Sequence, residues 1–379
     1  MQKKLLQRIG LVVGAGAILF VGAATINVHT SETGHPKEVP TKFDFSTINA
    51  TDYVPSINYT DKSLVTIKPK GITDADVDEE LISVLTYTPV YEKITDQTVE
   101  NGDSVNIDYT AKIGDTIISC EAGSRIDIGG GDSLKEVSGS LIGRTPGKQY
   151  PVIVILPEDY KGTYMDSNEK EQDLAGAEAE FLITINYIYG KEKTADTLTD
   201  TNVSELTSGI YENIADFKEF LGQKLTTAQE AKALQSVWES MIESCVISHD
   251  KNNNYNELVN YEYDYELGYY NQMAEAYGTD LDTLAVNYGY DNMDAFKESI
   301  QTDSEEIVKH YLIAYSIAQR EELILTEEEI RQAETELLSD YNVSSVEDLV
   351  ALYGETEVKL YVQLQKVDEF LKATLQIKS

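Results

Sequence analysis

Cysteine and histidine are scarce in this 379-residue chain, which has two cysteines and four histidines. Cys120 and Cys245 fall in regions assigned below to different domains, so no disulfide is predicted. The histidines are too scattered for a zinc cluster, and no Ser-His-Asp or Cys-His arrangement can be built from so few. We therefore expect no metal site, no cofactor and no covalent catalysis.

Basic residues are also few, with 30 Lys and Arg against 66 Asp and Glu, which gives a formal net charge of −36. Nucleic acid is excluded as a partner because phosphate binding needs a basic surface. The same charge favours solubility and repels anionic membrane surfaces. Proline occurs eight times and never after Pro157, which is typical of a helical second half.

The first 28 residues have the layout of an export signal. Lys3, Lys4 and Arg8 precede an apolar run over residues 9–24, which ends in small residues suited to cleavage. With weaker apolar character the run continues beyond residue 24, toward the length of roughly 20 residues that is needed to cross a bilayer. An uncleaved membrane anchor is therefore the alternative. Either interpretation predicts that the remainder of the chain works outside the cytoplasm.

Residues 29–64 mix Pro, Ser, Thr and Asn with scattered aromatics and have no sustained period, which indicates a spacer. Residues 65–97 form a lead-in segment with one short helix. Thr73 and Asp76 there have the spacing of a capping box, and Leu81 and Leu85 follow at helical intervals.

Residues 98–192 show strand-like alternation in "SVNIDYTAKI", "YPVIVILP" and "AEFLITINYI", with Gly, Pro and Asp between the runs. A compact antiparallel β-rich domain is predicted, with one short helix near residues 132–143. Residues 193–379 instead carry apolar residues at three- and four-residue steps. Two related stretches there, "TDLDTLAVNYG" and "SSVEDLVALYG", begin with a hydroxyl cap signal, Thr279 and Ser344, and end in Tyr-Gly, as helix units do.

The segments "ENGDSVNIDYTAKIGDTII", "IDIGGGDSLKEVSGSLIGRTPGKQYPVIVILPEDY" and "LAGAEAEFLITINYI" follow one another in the order of the FKBP-type peptidyl-prolyl isomerase domain. The version they resemble is that of the trigger factor family. "ITDADVDEEL" resembles its lead-in, and the later helices resemble its C-terminal chaperone part. The resemblance covers residues 66–379. It implies an α+β fold: an FKBP-like antiparallel sheet with a short crossing helix, and an all-α multi-helix chaperone domain. The N-terminal hydrophobic signal or anchor helix is expected from the sequence of residues 1–28 instead.

The resemblance implies peptidyl-prolyl cis/trans isomerisation in an aromatic-lined hollow, where a twisted amide is favoured over a planar one without covalent chemistry. Val137 stands where the family has a large aromatic and Ile118 stands in place of a phenylalanine, so weakened activity is expected. Core packing is the alternative role for the aromatic residues. The implied site residues are Tyr109, Ile118, Leu134, Val137, Tyr160 and Phe181.

In "NNNYNELVNYEYDYELGYYNQMAEAYG", Tyr261, Tyr265, Tyr269 and Met273 fall on one helical stripe. One interpretation is a chaperone cradle, because tyrosine offers apolar area with a hydroxyl at its rim to unfolded segments of varied sequence. The alternative is an amphipathic helix that buries the stripe against its neighbours.

Together these features predict an exported, trigger-factor-like folding factor, with a Gram-positive bacterium as the expected source. Its expected partners are unfolded or proline-containing polypeptides, and the membrane if the N-terminal segment is retained. An export segment stands where the family has its ribosome-docking domain, so no ribosome contact is expected. Two alternatives are a holdase chaperone that uses the FKBP fold as a binding platform and an adhesive envelope protein.

Overall fold

The structure is a computed structural model. The predicted signal or anchor segment, residues 1–28, and the start of the predicted spacer lie outside the residues that it describes. Within the described ranges no helix combines the length and the apolar character needed to span a bilayer. The described residues are 42–130, 135–166, 170–248, 254–341 and 343–378.

The chain divides into two compact units. Asp74–Leu221 form the β-rich unit, and Met1–Thr73 with Gly222–Ser379 form the helical unit, of which residues before Lys42 are not described. The helical unit is therefore discontinuous in sequence. Each unit is described separately below.

The β-rich unit is built on an antiparallel sheet in the order β1-β7-β2-β3, with β4 also paired to β7. Strands β5 and β6 form a separate hairpin. The predicted antiparallel β-rich character agrees with this sheet. The strands are β1 (Tyr91–Ile94), β2 (Ser104–Ile113), β3 (Thr116–Asp127), β4 (Gln149–Ile155), β5 (Thr163–Met165), β6 (Glu171–Asp173) and β7 (Glu178–Glu192).

Strand β7 shows how the two-residue period positions the core. Phe181, Ile183 and Ile185 are buried on one face, while Glu180 and Leu182 are exposed on the other. The short helix α3 (Lys135–Ser140) covers the apolar face and adds Val137 to the same core. This helix lies within residues 132–143, where the sequence predicted one.

Helices flanking the sheet complete the β-rich unit and move its boundaries outward from the predicted 98–192. They are α2 (Asp74–Tyr87), α4 (Asp200–Leu206) and the start of α5 (Ile214–Ser244). The physical reason is one apolar cluster that joins both ends of the segment. Its buried members are Leu81, Leu85, Leu198, Val203, Phe217 and Leu221.

The helical unit contains the rest of α5 and several further helices that pack into three apolar clusters. Burial of an apolar stripe on each helix, rather than sheet pairing, holds this unit together. Its other helices are α1 (Ala50–Tyr53), α6 (Tyr255–Ala276), α7 (Leu281–Asn287), α8 (Met293–Arg320), α9 (Glu327–Asp340), α10 (Val346–Tyr353) and α11 (Glu355–Leu375).

Residues 43–65 pack against these helices instead of forming a spacer, which corrects the prediction for this part of residues 29–64. Phe45 is 1% exposed and Val54 is fully buried in the largest cluster of the unit. Helix α8 also holds the backbone of this segment, because Gln319 Nε2 donates to the Ile48 carbonyl and Arg320 donates to the Val54 carbonyl, each at 2.8 Å. Long-range contacts therefore order a segment that lacks any local period.

The two related stretches both form short helices with a side-chain cap and a glycine stop. Asp280 Oδ1 accepts from the Thr283 amide at the start of α7, and Ser345 caps α10 in the same way. Both caps lie one residue later than the cap signals suggested. Gly289 and Gly354 are the last residues of the two related stretches. Their φ angles are 85° and 89°, a conformation that glycine adopts without strain.

Candidate functional site

A hollow of about 400 Å³ opens in the β-rich unit between strands β2, β3 and β7, helix α3 and the segment after β4. Its size suits a small apolar group with a few flanking atoms. The side chains that line it are Ile107, Tyr109, Ala111, Ile118, Ser119, Glu121, Ser124, Arg125, Ile126, Val137, Leu156, Tyr160, Leu174, Phe181 and Ile183.

Most of the residues predicted for the isomerase site meet in this hollow. Leu134 is outside the described residues, so its role as a site residue stays a prediction. The five that line the hollow together are Tyr109, Ile118, Val137, Tyr160 and Phe181.

The floor of the hollow is apolar and also belongs to the core of the sheet. Val137 is 2% exposed on α3, and Phe181 and Ile183 are buried on β7. The Tyr109 ring lies 6.0 Å from that of Phe181 at an interplanar angle of 42°. These side chains therefore pack the core and face the hollow at once, so the two roles weighed from the sequence are not exclusive.

The segment after β4 forms a second wall. The Tyr160 amide donates 3.0 Å to the Pro157 carbonyl in a turn, which directs the half-buried Tyr160 ring onto the apolar core. The Leu174 amide donates 3.1 Å to the Gly162 carbonyl and brings Leu174 to the same wall. A turn and a cross-loop hydrogen bond thus position both side chains without a regular strand.

A β-bulge decides which β3 side chains face the hollow. Ile107 pairs with Ser124, and Tyr109, two residues later, pairs with Glu121, three residues earlier. One extra residue in β3 reverses the inside-outside alternation. As a result Ser124 reaches the hollow on one side of the bulge and Glu121 reaches it on the other.

Polar contacts hold this bulge in place. Gly123, at φ 73°, donates its amide to Asp108 Oδ1 at 2.8 Å and accepts from Asn106 Nδ2 at 2.9 Å. Asn186 Nδ2 also donates to Asp108 Oδ1, at 2.9 Å. The pKa of Asp108 is lowered first by the Gly123 amide and then by Asn186, because both stabilise the charged carboxylate.

The bulge gives the hollow a polar side, formed by Tyr109, Ser119, Glu121 and Ser124 and called the polar wall below. The Tyr109 hydroxyl lies 3.2 Å from Glu121 Oε2 and 3.2 Å from Ser119 Oγ. Ser124 Oγ is buried and has no hydrogen-bond partner among the described residues. The rest of the lining is largely apolar, which suits binding and desolvation of a guest.

Sequence reasoning missed Ser119, Glu121 and Ser124 as site residues. Strict alternation along β3 cannot place all three on one face. The available signal was Gly123 within an otherwise strand-like stretch, since an isolated strand glycine often marks a bulge.

In the helical unit, the four predicted cradle residues are distributed over different surroundings. Tyr261 is 56% exposed with its ring 5.7 Å from Phe43, and the Tyr265 ring lies 4.7 Å from Lys42 Nζ. Tyr269 and the buried Met273 instead join a second cluster around α6 and α7. Packing thus engages much of the stripe, and its role in client binding stays a prediction.

Residues 213–371 match the family model described as bacterial trigger factor protein (TF) C-terminus. Trigger factor of Staphylococcus epidermidis is 28% identical over 308 residues, covering 79% of this chain and 67% of the relative. Trigger factor of Staphylococcus carnosus is 29% identical over 303 residues, or 79% and 66%. Trigger factor of Streptococcus pneumoniae is 27% identical over 311 residues, or 82% and 69%.

The chain spans about two thirds of the length of these relatives. A solved structure from work on promiscuous substrate recognition by the trigger factor chaperone overlaps with a TM-score of 0.41 at 14% identity, covering 84% of this chain and 73% of that one. That overlap is too small to establish a shared fold. Residues 213–371 therefore match the trigger factor C-terminal family, and 79–82% of the chain is similar in sequence to bacterial trigger factors.

Proposed function

We propose that this chain is an extracytoplasmic folding factor, a peptidyl-prolyl cis/trans isomerase of the FKBP and trigger factor type that also acts as a chaperone on exported, unfolded polypeptides. The observation that carries the proposal is the hollow in the β-rich unit, lined by Tyr109, Ile118, Val137, Tyr160 and Phe181. Similarity to bacterial trigger factors supports it independently, since sequence comparison uses no geometry.

Isomerisation needs little more than such a hollow. Rotation about a peptide bond has a barrier of about 18–20 kcal/mol, because the planar amide is stabilised by resonance and by solvation of its charge-separated form. The apolar floor at Val137 and Phe181 removes water from a bound X-Pro bond, which disfavours the planar amide relative to the twisted one. Each 1.4 kcal/mol or so of that difference accelerates rotation about tenfold.

The chaperone part of the proposal concerns the helical unit. Its sequence matches the C-terminal region of trigger factor over residues 213–371. Exposed apolar side chains such as Tyr261, Tyr277 and Val286 offer contacts to unfolded chains. The strong negative charge keeps the protein soluble and favours basic clients.

The location outside the cytoplasm is proposed from the sequence of residues 1–28 alone, which joins three basic residues to an apolar run. Fusing these residues to a reporter enzyme that is active only after export tests it. An active reporter is the expected result, and fractionation of the fusion separates cleavage from membrane retention. A reporter that stays inactive in the cytoplasm would overturn this part of the proposal.

A catalytically weak holdase is the second candidate, and Val137 is the observation that favours it. A valine leaves less contact area on the floor than an aromatic ring, and ring contacts contribute about 0.5–1.5 kcal/mol each beyond area burial. Such a hollow binds X-Pro segments with less preference for the twisted amide. The β-rich unit would then serve as a binding platform.

Refolding of a substrate protein limited by proline isomerisation separates the two candidates. The slow phase, tens to hundreds of seconds without catalyst, is expected to shorten as the full chain is added. Ile118→Ala should reduce this effect because Ile118 lines the hollow, whereas the neighbouring, 58% exposed Ile117 gives the matched control Ile117→Ala.

An aggregation assay with the same substrate is run in parallel. Suppressed aggregation with an unchanged slow phase would replace the isomerase proposal with the holdase. If the protein neither shortens the slow phase nor suppresses aggregation, both candidates are wrong.

A further inference from the structure

The polar wall of the hollow carries a carboxylate without a cationic partner. Glu121 is exposed at the mouth of the hollow, and its only hydrogen bond among the described residues is the one accepted from the Tyr109 hydroxyl at 3.2 Å. The described residues also provide no ion pair to it. A guest in the hollow therefore meets a negative charge on one side and hydrocarbon on the other.

Arg125 carries the positive charge among the described residues that line the hollow. Its guanidinium contacts groups other than Glu121. The group lies 4.7 Å from the Tyr189 ring and 5.2 Å from the Tyr91 ring, and it donates 3.1 Å to Ser104 Oγ. Asp127 adds a carboxylate at 3.7 Å. Stacking and pairing engage this guanidinium, and no ion pair among the described residues joins it to Glu121.

The buried hydroxyl of Ser124 adds a second, independent sign of a polar guest. A buried hydroxyl without a partner is rare, because leaving it unbonded loses the hydrogen bonds that water would supply. Ser124 lines the hollow, and its hydroxyl is chemically able to donate to a peptide carbonyl or to accept from a peptide amide.

We propose that the hollow selects X-Pro segments with a lysine or arginine next to the proline, and that Glu121 is the specificity-determining residue. This inference rests on the proposed isomerase function. The proline ring occupies the apolar floor, the Ser124 hydroxyl bonds the backbone beside it, and the basic side chain extends along the polar wall to Glu121. Because Glu121 is at the solvent-facing mouth, the cation keeps part of its hydration and the pair forms with little desolvation.

The test uses the full chain and short peptides that differ only next to the proline, carrying Lys, Leu or Glu first before and then after it. Both cis-to-trans rates and peptide binding are measured at low ionic strength. The expected order at one of the two positions is Lys, then Leu, then Glu, with steps of about two- to fivefold, the range of an exposed ion pair. The Lys advantage should shrink as salt is added.

Glu121→Gln should remove the preference for Lys over Leu, and circular dichroism checks that the variant is folded. Glu180→Gln is the matched control, since Glu180 is an exposed acid on β7 directly before Phe181 but outside the hollow. Equal loss of preference in both variants would reduce the effect to overall charge and overturn the inference.

The outcomes for the two proposals are distinct. Catalysis of all peptides without a basic preference overturns the specificity of Glu121 and leaves the isomerase proposal intact. A preference for the Glu peptide would assign the choice to Arg125 instead. Binding without catalysis of any peptide overturns the isomerase proposal, and equal binding of the Lys and Leu peptides then overturns this inference as well.

Discussion

The indole nitrogen of Trp238 donates a 2.8 Å hydrogen bond to Oδ1 of Asp368 inside the helical unit, where both side chains are buried. The His310 ring also packs against Trp238. The two ring centroids are 4.3 Å apart, and the ring planes meet at 72°. His310 Nε2 is buried without a hydrogen-bond partner among the described residues. Two titratable groups thus flank the single tryptophan of the chain.

Burial shifts the pKa values of Asp368 and His310 in opposite directions. It raises the pKa of Asp368 to about 7, despite the Trp238 hydrogen bond and nearby Lys372, which lower it. It lowers the pKa of His310 to about 3. In each case the neutral form is favoured in the folded protein because the charged form loses its hydration.

The sign of the pH dependence follows from these shifts. Above about pH 4 an unfolded Asp368 has lost its proton, whereas the folded protein keeps it up to about pH 7, so this contribution to stability decreases as pH rises. Below about pH 6.5 an unfolded His310 binds a proton that the folded protein resists down to about pH 3, so this contribution decreases as pH falls. Between about pH 4 and 6.5 the two effects oppose each other.

Single substitutions should therefore reveal opposite slopes. Relative to the natural chain, Asp368→Asn should gain unfolding free energy as pH rises from 4 to 7, and His310→Leu should gain it as pH falls from 6.5 to 4. Each slope should approach about 1.4 kcal/mol per pH unit. Denaturant unfolding followed by Trp238 fluorescence measures both, and parallel pH profiles for all three proteins would contradict the assignment.

The second prediction concerns a buried ion pair that fixes the start of the described chain. Lys42 Nζ lies 3.0 Å from Glu262 Oε1 and donates 3.0 Å to the Tyr311 hydroxyl. Burial alone would lower the pKa of Lys42, but Glu262 and then Tyr311 and Tyr265 raise it well above its ordinary value. Lys42 is therefore charged, and removing it leaves a buried carboxylate unpaired.

Lys42→Met should lower the unfolding free energy of the helical unit by about 3–5 kcal/mol. Lys42→Met combined with Glu262→Leu should recover most of the loss, because no unpaired charge stays buried. Lys359→Met is the control, since its 2.7 Å pair with Glu355 is largely exposed and contributes at most about 1 kcal/mol. Equal effects of the two lysine substitutions on unfolding followed by Trp238 fluorescence would show that burial of the pair is unimportant.

Local periodicity explains which parts of the fold were predictable. The two-residue pattern of Phe181, Ile183 and Ile185 marks β7 because the same residues are the buried ones in the sheet. Phe45 and Val54 carry no such pattern, because their partners lie on α8, which begins 239 positions after Val54 (293 − 54). A segment ordered by distant contacts is indistinguishable from a spacer in sequence.

The site divides in the same way. Tyr109, Tyr160 and Phe181 were predicted from the resemblance to the FKBP-type domain, and all three line the hollow, whereas their role in isomerisation stays a prediction. Glu121 and Ser124 were not found, because one extra residue in β3 reverses which side chains face inward. A bulge changes which strand residues face the hollow, and it leaves the composition of the strand unchanged.

That bulge is the subject of the third prediction. Gly123→Ala places a side chain at φ 73°, which costs about 1–2 kcal/mol in the left-handed region. An added Cβ would meet only Asn106 Nδ2, at 4.0 Å, so the strain is in the backbone. Relief of this strain shifts the bulge and displaces the β3 side chains that line the hollow, so kcat/KM for proline peptides should fall several-fold.

Gly114→Ala is the matched control. Gly114 also has positive φ, 58°, in the turn between β2 and β3, and no atom of the described residues lies within 4 Å of an added Cβ. Thermal unfolding should show similar destabilisation in both variants, whereas only Gly123→Ala should lose isomerase activity. Loss of activity in both would indicate general destabilisation of the sheet rather than a role for the bulge.

The last prediction tests the floor of the hollow. Val137→Trp should raise isomerase activity about two- to tenfold, because an indole facing the twisted amide adds a ring contact worth about 0.5–1.5 kcal/mol. The hollow of about 400 Å³ gives the larger side chain room, which limits the destabilisation usual for overpacked cores. The rate of proline-limited refolding measures the gain.

Ile142→Trp supplies the control. Ile142 lies just after α3 and is 48% exposed, so the substitution adds the same ring outside the hollow. Its activity should equal that of the natural chain. A Val137→Trp protein that is folded by circular dichroism but gains no activity would show that position 137 does not correspond to the aromatic position of the resembled family. If the gain appears only in Val137→Trp, the smaller floor rather than a blocked hollow limits catalysis by the natural protein, as the catalytically weak alternative supposes.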